Sequence, residues 1–267
     1  MSLKLAISGK GGVGKSTVCG VLARLYAASG RPVLAIDADP DANLAAALGV
    51  PADLLGSIRT ISEERRLVEE RTGAKANQYG QVFTINPDVS GIAEQYAVRH
   101  AGVDLLVLGG IPSAGGGCNC PESVLLKSLV RELVLKRDDV VLLDMEAGIE
   151  HLGRGTAMGV DLMLAVVEPG RRSVDTAARV QHLAAGIGIR QFAVVINKAT
   201  NPEADRQWVS EVYGDACILG VIPYDPRIGE ADRSGRSVVD LHEPELLEPF
   251  QAILQAITDR YERSDTH

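Results

Sequence analysis

The octapeptide GKGGVGKS at positions 9–16 constrains this chain more than any other stretch. It matches G-x-x-x-x-G-K-[ST], follows the apolar run LKLAISG (3–9) and opens a segment of helical periodicity over 15–29. A phosphate-cradling loop needs that context: a strand delivers the chain, glycines permit a tight turn, and a helix N-terminus faces the anion. Gly9, Gly11, Gly12 and Gly14 free the backbone to aim several N–H groups at phosphate oxygens. Lys15 adds a point charge for the β and γ phosphates, and the Ser16 hydroxyl is a ligand for Mg²⁺.

The rest of the chain fits that beginning. Six more short runs are continuously apolar: 32–38, 103–110, 140–146, 161–168, 192–197 and 217–223. Parallel strands covered on both faces read this way, whereas half-exposed strands alternate. Helical patterns lie between them, near 121–137, 173–186 and 203–213, and a last one covers 245–262. Repeated βα units predict an α/β fold with a doubly wound, mostly parallel sheet and a ligand at the carboxyl ends of the strands. Residues 52–100 are more polar and less regular, and are expected to form an insertion or lid. The whole chain, 1–267, reads as a single domain.

Charge and cysteine usage narrow the function classes. The net charge is −8, which disfavours nucleic acid and anionic membrane surfaces as partners. No apolar run approaches a membrane span, the N-terminus enters a strand directly, and four cysteines in 267 residues are no secreted disulfide framework. The expectation is a soluble cytoplasmic protein.

Lys10, a second lysine inside the loop, marks the deviant Walker A pattern. The chain here resembles the class of ATPases that includes nitrogenase iron protein, MinD and ParA. In that class this lysine reaches the nucleotide of the opposite subunit, so the resemblance implies a homodimer with a catalytic role for Lys10 beside Lys15. It also implies that Asp39, before the proline of DADPDANL, orients or deprotonates the attacking water. Asp144, ending VVLLDME, then holds Mg²⁺ near Ser16. Gly11, Gly12, Val13, Gly14, Lys15, Ser16 and Thr17 cradle ATP or ADP. The loop EAGIEHLGRG, with Gly148 as pivot, is a switch that senses the γ-phosphate. Asn197 and Lys198 in VVINKAT, with Pro223 in IPYDPRIGEAD, lie on the base side. Thr200 stands where GTP-specific relatives carry aspartate, which favours ATP.

The second chemical signature is AGGGCNCPES (114–123). Pro121 suits the first turn of a helix, which makes Asn119 or Cys120 the N-cap and puts both thiols at a helix N-terminus. There the dipole favours thiolate, the metal-binding form. Cys118 and Cys120 supply two of the four donors a thiolate site usually wants. Cys19 and Cys217 read as small core residues, so a second copy of the pair across a two-fold axis is the simplest completion. Thiolate softness admits Zn²⁺, Ni²⁺ or Cu⁺. A zinc clip between subunits, a redox pair and two incidental thiols remain open on these residues alone. His151, in the switch-like loop, reads as a loop hydrogen-bonder rather than a ligand.

Taken together, GKGGVGKS, DADPD, GGGCNCPE, DMEAGIEHLGRG and IPYDPRI resemble the CooC-type ATPases over 3–235. That resemblance implies an ATP- and Mg²⁺-dependent homodimer that helps deliver Ni²⁺ (or Zn²⁺ in its place) to apo carbon monoxide dehydrogenase or a related enzyme such as acetyl-CoA synthase. Two other readings stand beside it. One is an iron–sulfur scaffold or electron-donor ATPase. The other is a MinD- or ParA-like positioning ATPase, against which the acidic, mixed polar face of the C-terminal segment argues: Leu246, Phe250, Leu254 and Ile257 form a stripe suited to docking on a core.

Overall fold

In the computed structural model the described residues are 2–74, 82–109, 120–147 and 159–264, with side chains to 260. The seven apolar runs are strands: β1 (Leu3–Ser8), β2 (Val33–Ala38), β4 (Val103–Val107), β5 (Val140–Met145), β6 (Leu162–Val167), β7 (Phe192–Ala199) and β8 (Ile218–Pro223). With the short β3 (Val98–His100) they form one sheet in the order β3-β4-β2-β5-β1-β6-β7-β8. Every pairing is parallel except β3 on β4, at the edge.

Side-chain alternation sends the apolar residues of each strand to two cores. Leu5, Ile7, Ala35 and Leu142 meet the face covered by α1 (Lys15–Ala28), α2 (Leu44–Ala47) and α10 (Pro244–Ser264). Ala6, Leu34, Ile36 and Leu143 meet the face covered by α6 (Pro121–Lys136) and α7 (Arg171–Ile187). The C-terminal stripe docks as expected, with Leu246, Phe250 and Ile257 buried and Leu254 packed against the core. The predicted stripe of α6 is buried too: Val124, Leu125, Leu129, Val130 and Leu133, with Leu126 and Val134 beside them. Each such side chain contributes about 1.5–3 kcal/mol by leaving water, so the head of α6 is held firmly on the sheet.

Of the expected insertion or lid over 52–100, the described residues, 52–74 and 82–100, correct the lid. This stretch forms α3 (Ala52–Leu55), a 3₁₀ turn, α4 (Arg65–Thr72), α5 (Ile92–Tyr96) and β3. Ile61, Leu67, Val68, Val89, Ile92 and Ala93 are buried in the same core as α6. It is a packed edge of the fold, and its short elements carry too few apolar residues to show a period. No helix among the described residues is long and apolar enough to cross a membrane.

This topology lines the chemistry along the carboxyl edge. From one flank to the other come Cys120 at the head of α6, Asp39 after β2, Asp144 near the end of β5, and the phosphate loop after β1. Then follow Glu168 after β6, Asn197 and Lys198 in β7, and Pro223 ending β8. The ribbon is completed by α8 (Pro202–Tyr213) and α9 (Pro226–Arg233) on the β7–β8 side.

Candidate functional site

The phosphate loop is built where only glycine fits. At Gly9 (φ +154°) a Cβ would stand 2.3 Å from the Val166 carbonyl oxygen. Gly14, left-handed at φ 91°, caps α1, and a Cβ there would stand 2.3 Å from Nδ2 of Asn197. Val13 is buried and anchors the loop in the core. The loop's open side borders a cavity of about 620 Å³ lined by Gly11, Gly12, Gly14, Lys15, Ser16 and Thr17, with Asp39 and Asn197 facing them. Lys10 is exposed and does not line that cavity.

Three carboxylates sit under or beside the loop. Asp39 pairs with Lys15 at 3.4 Å, both side chains largely buried. Asp37 accepts from the backbone N–H of Asp39 at 3.2 Å and of Leu44 at 2.9 Å. It therefore fixes the turn that presents Asp39, and burial pushes its own carboxyl up to about 6. Asp144 is the register partner of Asp37 on the neighbouring strand. Burial pushes its carboxyl up to about 7, while the Ser16 hydroxyl offsets part of the rise. Among the described residues no bond of normal geometry reaches either Asp144 oxygen, which is uncommon for a buried carboxyl. Two open carboxylate oxygens near a serine hydroxyl, at the head of a phosphate loop, make a hard-oxygen donor set that fits Mg²⁺.

The β7–β8 side of the cavity is braced by side chains. The Asn197 amide donates to the Val13 carbonyl at 2.8 Å. Lys198, in a left-handed conformation at φ 57°, donates from Nζ to the Gly12 carbonyl and the Glu168 carboxylate, each at 2.6 Å. Pro223, Tyr224 and Asp225 close the far wall of the cavity. Arg227 ties that wall to α10 through Asp225, Glu243 and Glu245.

On the thiol side, Cys120 is the N-cap of α6 and Pro121 its first residue, as the sequence predicts. The Cys120 sulfur lies 3.0 Å from the Ser123 hydroxyl. Cys118 lies outside the described residues, as do Gly148, Glu150 and His151 of the switch-like loop. Cys19 is buried, Cys217 is partly exposed, and among the described residues no three metal-ligating side chains converge.

The structure brings Lys15, Ser16, Thr17, Asp39, Asn197, Lys198 and Pro223 to one cavity, with Asp144 beneath its floor. Sequence reasoning missed the roles of Asp37, Glu168, Tyr224 and Ser123. Asp37 carries a signal, since a buried aspartate two residues before a turn accepts its N–H groups. Ser123 also carries one, lying three residues after an N-cap, the capping-box spacing. Glu168 carries none.

Comparison with known proteins agrees with this geometry. Residues 4–238 match the CobQ/CobB/MinD/ParA nucleotide binding domain family. The carbon monoxide dehydrogenase accessory protein CooC of Rhodospirillum rubrum is 46% identical over 258 residues, 97% of each chain. An uncharacterized ATP-binding protein of Methanocaldococcus jannaschii is 42% identical, covering 88% of this chain and 91% of its own. Among solved structures, the MinD cell division protein of Aquifex aeolicus superposes with a TM-score of 0.66 at 21% identity, covering 96% of this chain and 97% of its own, a likeness of fold alone.

Proposed function

Since the chain belongs to the CobQ/CobB/MinD/ParA nucleotide-binding family and is an ATPase of the CooC type within it, we propose that it is an ATP-driven metallochaperone. Its cargo is a thiolate-binding divalent ion, nickel by preference, and its client is carbon monoxide dehydrogenase or a related nickel enzyme. One observation carries the reading. The 46% identity to a carbon monoxide dehydrogenase accessory protein runs over 97% of both chains, so the likeness is not confined to the phosphate loop.

In this reading residues 1–267 are one ATPase domain that works as a homodimer. Lys15 and the loop N–H groups grip the β and γ phosphates of ATP. Ser16 and Asp144 are the residues that would hold Mg²⁺, which supplies charge neutralisation at the phosphates when bound. Before nucleotide arrives, Asp39 is the counter-ion of Lys15. When phosphate takes over Lys15, Asp39 is released to accept a hydrogen bond, and then the proton, from the attacking water. Lys10, exposed and outside the lining of its own cavity, reaches the partner's phosphates in this reading. Cys118 and Cys120 from each subunit supply four sulfurs to one shared ion. Nucleotide then sets how firmly the subunits clasp, and moving such an equilibrium from 1:99 to 99:1 takes about 5.5 kcal/mol of differential binding.

The test is metal stoichiometry in the dimer. Wild-type protein is expected to retain one metal per dimer. The double variant Cys118→Ser with Cys120→Ser should retain none while binding ADP as tightly as wild type. Elemental analysis beside light scattering reads both, and a double variant that keeps its ion sinks the assignment. A brown chromophore in anaerobic wild-type protein would shift the reading to an iron–sulfur carrier on the same thiols.

A further inference from the structure

We propose that Ser8 is a positioning residue for ATP hydrolysis: its buried hydroxyl holds the Glu146 carbonyl and so turns the N–H of the same peptide unit, that of Ala147, toward the γ-phosphate. The proposal rests on the reading of Lys15 and Asp39 as the groups around that phosphate.

Three observations carry it. First, Ser8 is fully buried at the end of β1, directly before the phosphate loop, yet it does not line the cavity. Second, its hydroxyl donates to the Glu146 carbonyl oxygen at 2.7 Å, across 138 residues of chain. Backbone pairing of β1 with β5 runs only to Ile7 opposite Asp144, so this side-chain bond carries the connection past the end of the ladder. Third, Glu146 and Ala147 themselves line the cavity. β2 and β5 pair as far as Ala38 opposite Met145, which sets Glu146 and Ala147 beside Asp39, the partner of Lys15.

Peptide geometry supplies the direction. A trans peptide unit is planar, so its C=O and N–H point opposite ways, and no peptide among the described residues is cis. With the Glu146 carbonyl held on Ser8, the Ala147 N–H points away from Ser8, to the side on which Ala147 lines the cavity. Among the described residues no bond engages that N–H. An unspent donor beside Lys15 and Asp39 suits an anionic oxygen. Phosphoryl transfer gains from donors placed in this way, because most of the catalysis is positioning and charge stabilisation. ADP carries no third phosphate, so this contact reads ATP alone. Without the Ser8 hydroxyl the peptide unit is free to rotate, and a carbonyl turned into the cavity would repel the phosphate that the N–H attracts.

The experiment measures three quantities on the full-length protein with Mg²⁺: affinity for ADP, affinity for an ATP analogue whose β–γ bridge is an imido group, and phosphate release at saturating ATP. Ser8→Ala should bind ADP within about twofold of wild type, bind the analogue about tenfold more weakly, and release phosphate about tenfold more slowly. Ser8→Thr, which keeps the hydroxyl, should restore the ratio of the two affinities. Ser8→Cys, close to serine in size and a poor donor, should follow alanine, and it repeats the comparison if the alanine void loosens the strand. A serine that only props the strand would lower the melting temperature and weaken both ligands alike. A wild-type ratio in folded Ser8→Ala or in folded Ser8→Cys, or an equal loss for both ligands, therefore overturns the proposal. Undiminished binding of both ligands by Lys15→Ala is a different failure: the reading of the cavity itself falls, and this proposal with it.

Discussion

The two flanks of the carboxyl edge are built differently. On the β6–β8 flank each loop is tied to another by side chains: Asn197 to Val13, Lys198 to Gly12 and Glu168, and Arg227 to Asp225, Glu243 and Glu245. On the β4–α6 flank, the described part of the thiol turn has one side-chain bond, Cys120 to Ser123. The first arrangement makes a nucleotide pocket whose walls all come from one chain. The second, in the proposed reading, offers Cys118 and Cys120 of each chain to a cargo that wants about four donors. The difference teaches that the two chemistries should fail separately: a change on one flank should leave the other's ligand bound.

Asp39→Asn should break hydrolysis most severely. A positioned base commonly contributes 10²–10⁴-fold, so phosphate release is expected to fall at least about 100-fold. Nucleotide binding should hold or tighten, because Lys15 loses the internal counter-ion 3.4 Å away and meets phosphate unpaired. Metal content should stay at the wild-type value. Phosphate release, ADP titration and elemental analysis read the three quantities. Near-normal turnover would remove Asp39 from the mechanism, and loss of metal would show that the flanks are not separable in this way.

How much of this was legible in the sequence follows from length and burial. Seven strands announced themselves because both faces of a parallel sheet are covered, leaving unbroken apolar runs. β3 did not, being three residues with partly exposed side chains at the antiparallel edge. The 52–100 stretch reads as an insertion or lid, and not as a packed edge, because α4, RRLVEERT, buries only Leu67, Val68 and Thr72 in eight residues. In the cavity, Lys15, Ser16, Asp39 and Asn197 were legible because motif spacing fixes the first two to the head of the helix after the phosphate loop and the others to strand ends. What Asn197 and Lys198 do was less so. The sequence places both beside the base, and the structure shows both bracing the phosphate loop across more than 180 residues of chain. No local pattern encodes a contact of that range, and Glu168 is the extreme case, a lone acid after a strand.

A middle-sized effect tests the buried acids. In the folded chain the Asp144 carboxyl is raised to about 7 and that of Asp37 to about 6, burial being the leading cause in both. The unfolded chain ionises near 3.9, so between about pH 4 and 7 the folded chain binds the extra protons. Stability of the protein free of nucleotide and Mg²⁺ must therefore fall as pH rises through that window. Carboxyls held low, such as Asp225 beside Arg227, change below it. Asp144→Asn removes the larger share of the slope. It should equal wild type near pH 4 and exceed it at pH 8 by on the order of 4 kcal/mol, read by urea denaturation. Mg²⁺ with ADP should favour wild type and not the variant. Parallel pH profiles for the two proteins would mean that Asp144 is not a strained, open carboxylate.

The smallest effect sharpens the comparison most finely. Lys198 has two partners on the base-side flank, the Gly12 carbonyl and the Glu168 carboxylate. The ion pair is 42% and 41% exposed at its two side chains. Exposed pairs are worth about 0–1 kcal/mol, whereas the bond to Gly12 acts on the phosphate loop itself. Glu168→Gln keeps an acceptor for Lys198 and removes only the charge. ADP affinity should fall by less than about fivefold, and the remaining loss should shrink further in high salt as screening removes the pair from wild type as well. Calorimetric ADP titrations at low and high salt separate the outcomes. A loss well beyond fivefold that persists in high salt would mean that Glu168, and not the loop carbonyl, sets where Lys198 stands. The braced flank would then depend on an exposed charge, and the contrast with the thiol flank would narrow to the number of its contacts.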